Sequence, residues 1–286
     1  MAVQILTDST SYLPEATRNE FNIRSVSLNL TFGTDSIREV DIDNQTFYPM
    51  MSAKGIPISS QPSIGELYHE MKSVVETGDS ICCIFLSAEM SGTFSTGQIV
   101  KAMVLEKHKD AQIEIIDSRS NCMQLGFAVL LAARAAQAGE SLEQVKEAAL
   151  DNIRKSRFIF IPDNLEYLKK GGRIGGASAL IGNLFKIIPI LTVENGKTNI
   201  LMKVRTKSNA VLAMVDKMMQ DIKEYGLGEI IVHHINCQTE ARDLARVIKE
   251  KINVDPEVLD IGPVIGLHVG PGAIGIAYYT KMPMRS

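Results

Sequence analysis

The sequence predicts an α/β protein of two domains: an N-terminal Rossmann-like parallel sheet flanked by helices, and a C-terminal α/β domain with a mixed sheet. Short apolar runs end in loops rich in serine, threonine and aspartate, and each loop precedes a helical pattern. That order is typical of a doubly wound sheet. Asn195-Gly196 is a hairpin signal, which adds antiparallel strands to the second half. The length of 286 residues exceeds one typical domain and favours two.

The predicted N-terminal domain covers residues 1–156. Its expected strands are residues 3–6, 21–30, 80–86 and 112–116. One expected helix begins near residue 13, and the others cover residues 45–52, 64–76, 94–107, 122–138 and 142–154. Residues 80–86 are continuously apolar, as in a strand buried on both faces of a parallel sheet. Pro62 keeps Gln61 out of helical geometry, so an extended connector presents Ser59 and Ser60.

The predicted C-terminal domain covers residues 157–286. Its expected strands are 158–162, 187–193, 198–204, 229–235, 274–280 and an edge strand at 258–261, and its expected helices are 164–170, 207–225 and 239–251. The cationic, glycine-rich turn around Arg173 leads into an apolar segment, 177–190, with Lys186 as its single charge. Such a segment suits a ligand that is anionic at one end and apolar at the other. A loop followed by an ordinary core helix is the alternative.

Composition narrows the functional classes. The chain is 45% hydrophobic and 22% charged, as expected for a folded soluble protein, and its net charge of -3 provides no basic field for nucleic acid. The N-terminal residues lack the pattern of a signal peptide. The apolar run of 177–193 is interrupted by Asn183, Lys186 and Pro189, so it is not expected to form a membrane-spanning helix. We therefore expect a cytoplasmic protein.

Metal and nucleotide motifs are weak or missing in the sequence. The cysteines Cys82, Cys83, Cys122 and Cys237 lack metal-ligand spacing, which favours packed thiols. Residues 270–275 match G-x-G-x-x-G, but an apparent strand follows where a dinucleotide site needs a helix. We expect neither a metal nor a cofactor.

Several side chains could bind an anionic ligand, and each has a structural alternative. Ser91 follows a strand and precedes a helix, so it could cap the helix, donate to a carboxylate, or be the nucleophile of a poorly matched nucleophile elbow. His268 precedes a rigid Gly270-Pro-Gly272 turn, and a structural and a functional role are both open. Arg173 could grip a carboxylate or phosphate, or remain a solvated loop cation. Asp8 and Asp117 end strands, and loop-shaping hydrogen bonds are favoured over catalysis or metal binding.

Histidines elsewhere fit structural roles. His233 and His234 are adjacent in an expected strand and point to opposite faces. One core and one surface position would explain them without a metal.

The residue pattern over nearly the whole chain resembles that of the DegV family of bacterial fatty-acid-binding proteins, the acyl-carrying subunits of fatty acid kinase. The stretches that carry the resemblance are Thr7-Asp8-Ser9-Thr10, Ser59-Ser60-Gln61-Pro62-Ser63, Ser91-Gly92-Thr93, Asp117-Ser118, residues 168–174 and residues 268–275.

The resemblance implies a fatty acid held between two domains, its carboxylate bound by Ser59, Ser91 and His268. Arg173 would act when a separate ATP-dependent kinase phosphorylates the head group. Further residues expected in the pocket loops are Asp8, Ser9, Gln61, Gly92, Thr93, Gly270 and Gly272. The implied protein is a non-catalytic carrier for phospholipid synthesis, with transient contact to a membrane surface and no nucleic-acid partner.

Two departures from the family pattern concern loop residues. Ser59 stands where threonine is common, which keeps the hydroxyl, whereas Cys122 and Gln124 stand where serine and glycine are usual. Two other functions stay open at this point: a Ser/His acyl hydrolase using Ser91 and His268, and a lipid sensor. Catalytic turnover would identify the first of these, and the identity of a bound partner protein would identify the second.

Overall fold

The computed structural model of the protein describes residues 2–180 and 187–284. Its strands are β1 (Val3–Asp8), β2 (Ile23–Val26), β3 (Asn29–Phe32), β4 (Asp35–Arg38), β5 (Ile58–Ser60), β6 (Ser80–Phe85), β7 (Ile113–Asp117), β8 (Ser156–Ile161), β9 (Ile188–Glu194), β10 (Lys197–Val204), β11 (Leu227–His234), β12 (Glu257–Asp260) and β13 (Ile274–Thr280).

Its helices are α1 (Glu15–Glu20), α2 (Asn44–Lys54), α3 (Ile64–Glu76), α4 (Thr93–Lys107), α5 (Cys122–Gln137), α6 (Leu142–Lys155), α7 (Glu166–Lys170), α8 (Lys207–Tyr225), α9 (Gln238–Ile252) and α10 (Pro263–Val269). Short 3-10 helices cover Ser9–Ser11, Glu39–Asp41 and Gly175–Leu180. The predicted α/β class is confirmed.

The chain divides into two compact units. The first unit consists of Met1–Asp41 and Ile58–Arg154, and the second of Ile42–Pro57 and Lys155–Ser286. The expected boundary at residue 156 is two residues from this division. Residues 42–57, expected in the first domain, belong instead to the second unit, where Asn44 Nδ2 donates to the carbonyl oxygen of Ile261 at 2.8 Å.

The first unit contains a four-stranded parallel sheet in the order β2-β1-β6-β7 and a three-stranded antiparallel sheet in the order β4-β3-β5. The core includes Leu6, Phe85, Leu67, Met71 and Val100, contributed by β1, β6, α3 and α4. Because β1, β6 and β7 are parallel, their carboxyl ends lie at one edge of the sheet.

The expected single strand 21–30 is wrong, because the segment forms β2 and β3 in two different sheets. Ser27 Oγ donates to the carbonyl oxygen of Leu28 at 2.8 Å, and Leu28 N donates to Ser9 Oγ at 3.1 Å. These bonds use polar groups between the two strands, and the chain leaves one sheet for the other there.

The second unit contains a six-stranded mixed sheet in the order β10-β9-β8-β13-β11-β12. Its neighbouring strands are antiparallel except for β11 and β12, which are parallel. The predicted hairpin joins β9 to β10, with positive φ at Asn195 and Gly196 (52° and 80°). Helices α8 and α9 bury residues such as Met214, Met218 and Leu244 in its core.

Other expectations for the second unit had different outcomes. Helix α10 was not predicted. Part of the expected apolar segment 177–190, including Lys186, lies outside the described residues. Within the described residues, no helix is both long enough and apolar enough to cross a bilayer.

Candidate functional site

The side chain of Asp8 is hydrogen-bonded to two loops at the carboxyl edge of the parallel sheet. Its side chain is fully buried: Oδ1 accepts from Thr10 N at 3.0 Å and Thr10 Oγ1 at 2.6 Å, and Oδ2 accepts from Leu86 N at 2.7 Å. Burial raises the pKa of Asp8 to about 6, although these hydrogen bonds lower it. In this position the carboxylate shapes the loops after β1 and β6.

Ser9 lies next to a buried glutamate that sequence reasoning missed. Ser9 Oγ donates to Glu39 Oε2, and Tyr12 OH donates to Glu39 Oε1 at 2.8 Å. Glu39 is only 4% exposed. No motif marks it in the sequence, because its importance comes from hydrogen bonds to residues 30 and 27 positions away.

The expected hydroxyl residues are brought close together in the first unit. Ser59 pairs with Leu30 between β5 and β3, and two residues later Gln61 lies against Gly92, where an added Cβ would overlap the Gln61 amide oxygen. Gln61 Nε2 also donates to Thr96 Oγ1. The segment containing Ser59 and Gln61 therefore lies beside the start of α4.

Ser91 stands at the N-terminus of α4. Its Oγ is 3.0 Å from Thr93 Oγ1, and Thr93 N donates to it at 3.4 Å. Gly92 occupies the N-cap position and provides no side-chain cap. Hydroxyl groups and free helical N–H groups are neutral donors suited to an oxygen-rich ligand. Among the described residues of this unit, the Ser91 hydroxyl is hydrogen-bonded to the hydroxyl group of Thr93. The nucleophile of a Ser-His hydrolase is instead hydrogen-bonded to an imidazole.

His268 lies in the last turn of α10 in the second unit. A Cβ added to Gly171 would overlap its Nδ1, so the imidazole packs directly on the glycine backbone. Burial, followed by the nearby charge of Arg173, lowers the pKa of His268 to about 4. The imidazole is therefore neutral at neutral pH, so one ring nitrogen can donate a hydrogen bond and the other can accept one.

Two glycines that follow His268 in the chain pack closely against other residues. Gly270 has a φ of 90° and faces the ring of Tyr167, and Gly272 has a φ of 86° and faces Asp163. A side chain at Gly270 would overlap the Tyr167 ring. Exposed Arg173 donates from Nη1 to the carbonyl oxygen of Gly171 at 2.7 Å.

The expected site residues thus form two groups, one in each unit. In the first unit, Ser59, Gln61, Ser91, Gly92 and Thr93 lie together, with Asp8 and Ser9 at the neighbouring strand end. In the second unit, His268, Gly270, Gly272 and Arg173 lie together. Thr96 and Tyr167 were missed, although Thr96 follows Thr93 by about one helical turn and Tyr167 immediately precedes the residue 168–174 motif.

Cys122 and Gln124, which depart from the family pattern, are buried in the first turn of α5. Gln124 Oε1 accepts from Ser120 Oγ at 2.6 Å, so the Gln124 amide stabilises the loop between β7 and α5. Cys122 has a φ of 50°, and burial raises the pKa of its thiol well above the usual value. All four cysteines are buried and free, which confirms the prediction of packed thiols.

Two further expectations concern histidines and metals. His233 and His234 are both buried, so the expected surface position for one of them is wrong. His234 reaches Asp260 of β12, with 3.2 Å between Nδ1 and Oδ1, because the two residues are paired in register. Within residues 2–180 and 187–284, no cluster of His, Cys, Asp and Glu has the arrangement of a metal site.

The chain matches a known protein family over nearly its whole length. The family model DegV, described as "Uncharacterised protein, DegV family", matches residues 2–281. The chain belongs to the DegV family. A DegV domain-containing protein of Clostridium acetobutylicum is 62% identical over 285 residues, which cover 100% of both chains.

Solved structures of DegV proteins share this fold over nearly their entire length. DegV of Bacillus subtilis, described as a fatty acid binding protein, is 31% identical with a TM-score of 0.86, covering 98% of this chain and 100% of that chain. A fatty acid binding DegV family protein of Streptococcus agalactiae is 26% identical with a TM-score of 0.88, covering 98% and 99% of the two chains. The resemblance noted in the sequence is confirmed at the level of family and fold.

Proposed function

We propose that this DegV family member binds a long-chain fatty acid and carries it without catalysing its turnover. Ser59, Ser91 and His268 are the proposed ligands of the carboxyl head group, and the pocket loops contain Asp8, Ser9, Gln61, Gly92, Thr93, Gly270 and Gly272. The B. subtilis relative described as a fatty acid binding protein supports the ligand class.

One observation carries the assignment of the head-group site. Its candidate ligands are neutral donors: the Ser91 hydroxyl lies at a helix N-terminus without a side-chain cap, and the low pKa of His268 keeps its imidazole uncharged. Neutral donors can bind a carboxyl group without leaving a buried countercharge unpaired when the site is empty. Most of the affinity would come from the acyl chain, at about 0.8 kcal/mol for each buried methylene group.

We further propose that the carrier acts in the cytoplasm and presents its fatty acid to a separate ATP-dependent kinase, so that acyl phosphate forms for phospholipid synthesis. Arg173 is exposed and lies close enough to His268 to lower its pKa, which suits a cation that assists a reaction at the head group. Transient contact with a membrane surface would deliver and collect the lipid.

Extraction of the purified protein into organic solvent, followed by mass spectrometry, tests the carrier proposal. We expect a fatty acid in stoichiometric amount, or its uptake after incubation with one, and no hydrolysis of acyl esters. The absence of fatty acid in both conditions would overturn the proposal, and ester hydrolysis that is lost in Ser91→Ala would favour an acyl hydrolase.

Matched variants test the site. Ser91→Ala and His268→Ala should weaken fatty acid binding, whereas Ser95→Ala on α4 and His69→Ala on α3, at exposed positions, should leave it unchanged. Arg173→Ala should bind fatty acid and fail in phosphoryl transfer by the kinase. Equal affinities of all four serine and histidine variants would refute the assigned ligands.

A further inference from the structure

Asn121 has a buried amide oxygen that the fold leaves without a hydrogen bond. The residue precedes α5, is 6% exposed, and its Oδ1 has no hydrogen-bond partner among the described residues. Its Nδ2 donates to Met90 Sδ at 3.2 Å. Because a thioether sulfur accepts and cannot donate, the nitrogen must face Met90 and the oxygen must be the unpartnered atom. Buried acceptors in this condition are rare and call for a specific explanation.

The unpartnered oxygen lies at the place where two helices begin. Ser87 N donates to the carbonyl oxygen of Ser120 at 2.8 Å, and Ser91 N donates to that of Ser87 at 3.1 Å, so the loops before α4 and α5 are joined. Neither helix has a side-chain cap at its N-cap residue. Asn121 therefore adds an acceptor next to the turn that carries the Ser91 donor.

The charged side chains of these loops are mostly acidic. Asp8 ends β1, Asp117 ends β7, Glu39 is buried beside the loop after β1, and Glu89 lies in the loop after β6. Arg119 is a cation in the same loops, and its backbone N–H donates to Asp117 Oδ1 at 2.8 Å. Acidic groups predominate in these loops, so a carboxylate beside Asn121 meets like charges, whereas Arg173, the cation proposed near the head group, belongs to the second unit. A protonated carboxyl group is neutral and has both a donor and an acceptor.

From this arrangement we propose that Asn121 binds the head group of the fatty acid in its protonated form. Asn121 Oδ1 accepts the O–H of the acid, while the Ser91 hydroxyl donates to its carbonyl oxygen. This inference rests on the proposed function and adds a specificity-determining residue to it: a ligand whose head group lacks an O–H, such as an ester, leaves Asn121 unpartnered and binds less tightly.

Replacement by leucine separates this role from a structural one. Asn121→Leu removes the unpartnered oxygen at similar volume, so its melting temperature should equal or exceed that of the wild type. Its affinity for oleic acid should nevertheless fall about three- to tenfold, the effect of one lost hydrogen bond. Its affinity for methyl oleate should be unchanged. A structural role would instead lower stability and both affinities together.

Asn152 provides a matched control. It lies on α6, is 2% exposed, and its Oδ1 also has no hydrogen-bond partner among the described residues. Asn152→Leu should leave oleic acid affinity unchanged. If wild type fails to bind oleic acid, the proposed function falls and this inference with it. If wild type binds and Asn121→Leu binds equally well, only the inference about Asn121 is refuted.

A spectroscopic measurement on the unmodified protein keeps the proposal falsifiable even if a variant fails to fold. Oleic acid labelled with ¹³C at the carboxyl carbon gives different chemical shifts for the protonated and the ionised group. At neutral pH we expect the bound resonance at the protonated position, and we expect it to move toward the ionised position in Asn121→Leu. A wild-type resonance at the ionised position would overturn the proposal.

Discussion

The imidazole of His268 packs against the backbone of Gly171, in the space that a Cβ at residue 171 would need. Gly171 has no positive φ, so close approach and not backbone conformation requires glycine there. The first glycine of the Gly171-Gly172 pair therefore fixes the position of the histidine proposed to bind the head group.

Gly171→Ala should displace His268 and weaken fatty acid binding, with a loss of about 1 kcal/mol for one hydrogen bond. Gly172→Ala is the control: Gly172 has a φ of 69°, and a Cβ there would meet no atom within 4 Å. This second variant should lose about 1 kcal/mol of stability and retain its affinity. Calorimetric titration and thermal unfolding of both variants measure the two effects. Equal affinities of the two variants would contradict the role given to Gly171.

Arg173→Ala should raise the pKa of His268. Burial lowers this pKa most, and the charge of Arg173 lowers it further, to about 4. Without that charge the pKa should rise and remain below 6.5, because the effect of burial persists. Titration of the imidazole by NMR gives the values for both proteins. His233, whose pKa burial lowers to about 3, is the internal reference. An unchanged pKa at His268 would show that the Arg173 charge does not reach the imidazole.

The stability of the protein should fall as Asp8 ionises. Burial raises the pKa of Asp8 from 3.8 to about 6, so the folded state binds its proton more tightly than the unfolded state does. The resulting stability is complete below about pH 4 and is lost as the pH rises through about 6, with a total effect of about 3 kcal/mol.

Urea denaturation of wild type and Asp8→Asn across this pH range isolates the contribution. The difference between their free energies of unfolding should change between about pH 4 and pH 7. Asp110→Asn, at an exposed position, is the control for removal of a carboxylate. A constant difference between Asp8→Asn and wild type would refute the assigned pKa.

A buried ion pair on helix α8 of the second unit should contribute more to the free energy of unfolding than an exposed carboxylate of the same helix. Asp221 is 3% exposed, and it accepts from Tyr278 OH at 2.6 Å and Lys217 Nζ at 2.7 Å, with Arg157 Nε at 3.1 Å. Asp221→Ala leaves these partners without their acceptor and should cost about 3–5 kcal/mol, whereas Tyr278→Phe should cost about 1–2 kcal/mol. Asp216→Ala, exposed on the same helix, should be nearly neutral. Denaturant unfolding checks this order, and equal losses at 221 and 216 would contradict it.

Local patterns in the sequence were sufficient to predict the elements whose neighbours are close along the chain. The apolar runs that became β1, β6 and β7 end in Asp8 and in the hydroxyl-rich loops, as expected for a parallel sheet. The Asn195-Gly196 turn joins β9 and β10 because both residues adopt positive φ. In these places backbone preference and side-chain pattern act over a few residues.

Features decided by distant contacts could not be predicted in this way. Residues 42–57 join the second unit through contacts such as that of Tyr48 with Gly266, which no local pattern reveals. Helix α10 is short and apolar on most sides, so it lacks helical periodicity. Asn121 and Glu39 became candidates only when burial and hydrogen bonding were known.

The hydrogen bond from Asn44 to Ile261 spans 217 positions of the chain. During synthesis, α2 therefore leaves the ribosome long before the strands and helices that complete its unit. Until those elements emerge, its apolar residues Phe47, Tyr48 and Met51 are exposed in the nascent chain, where a holding chaperone could bind them. For the same reason, a fragment ending at Arg154 would carry α2 without the remainder of its folding unit.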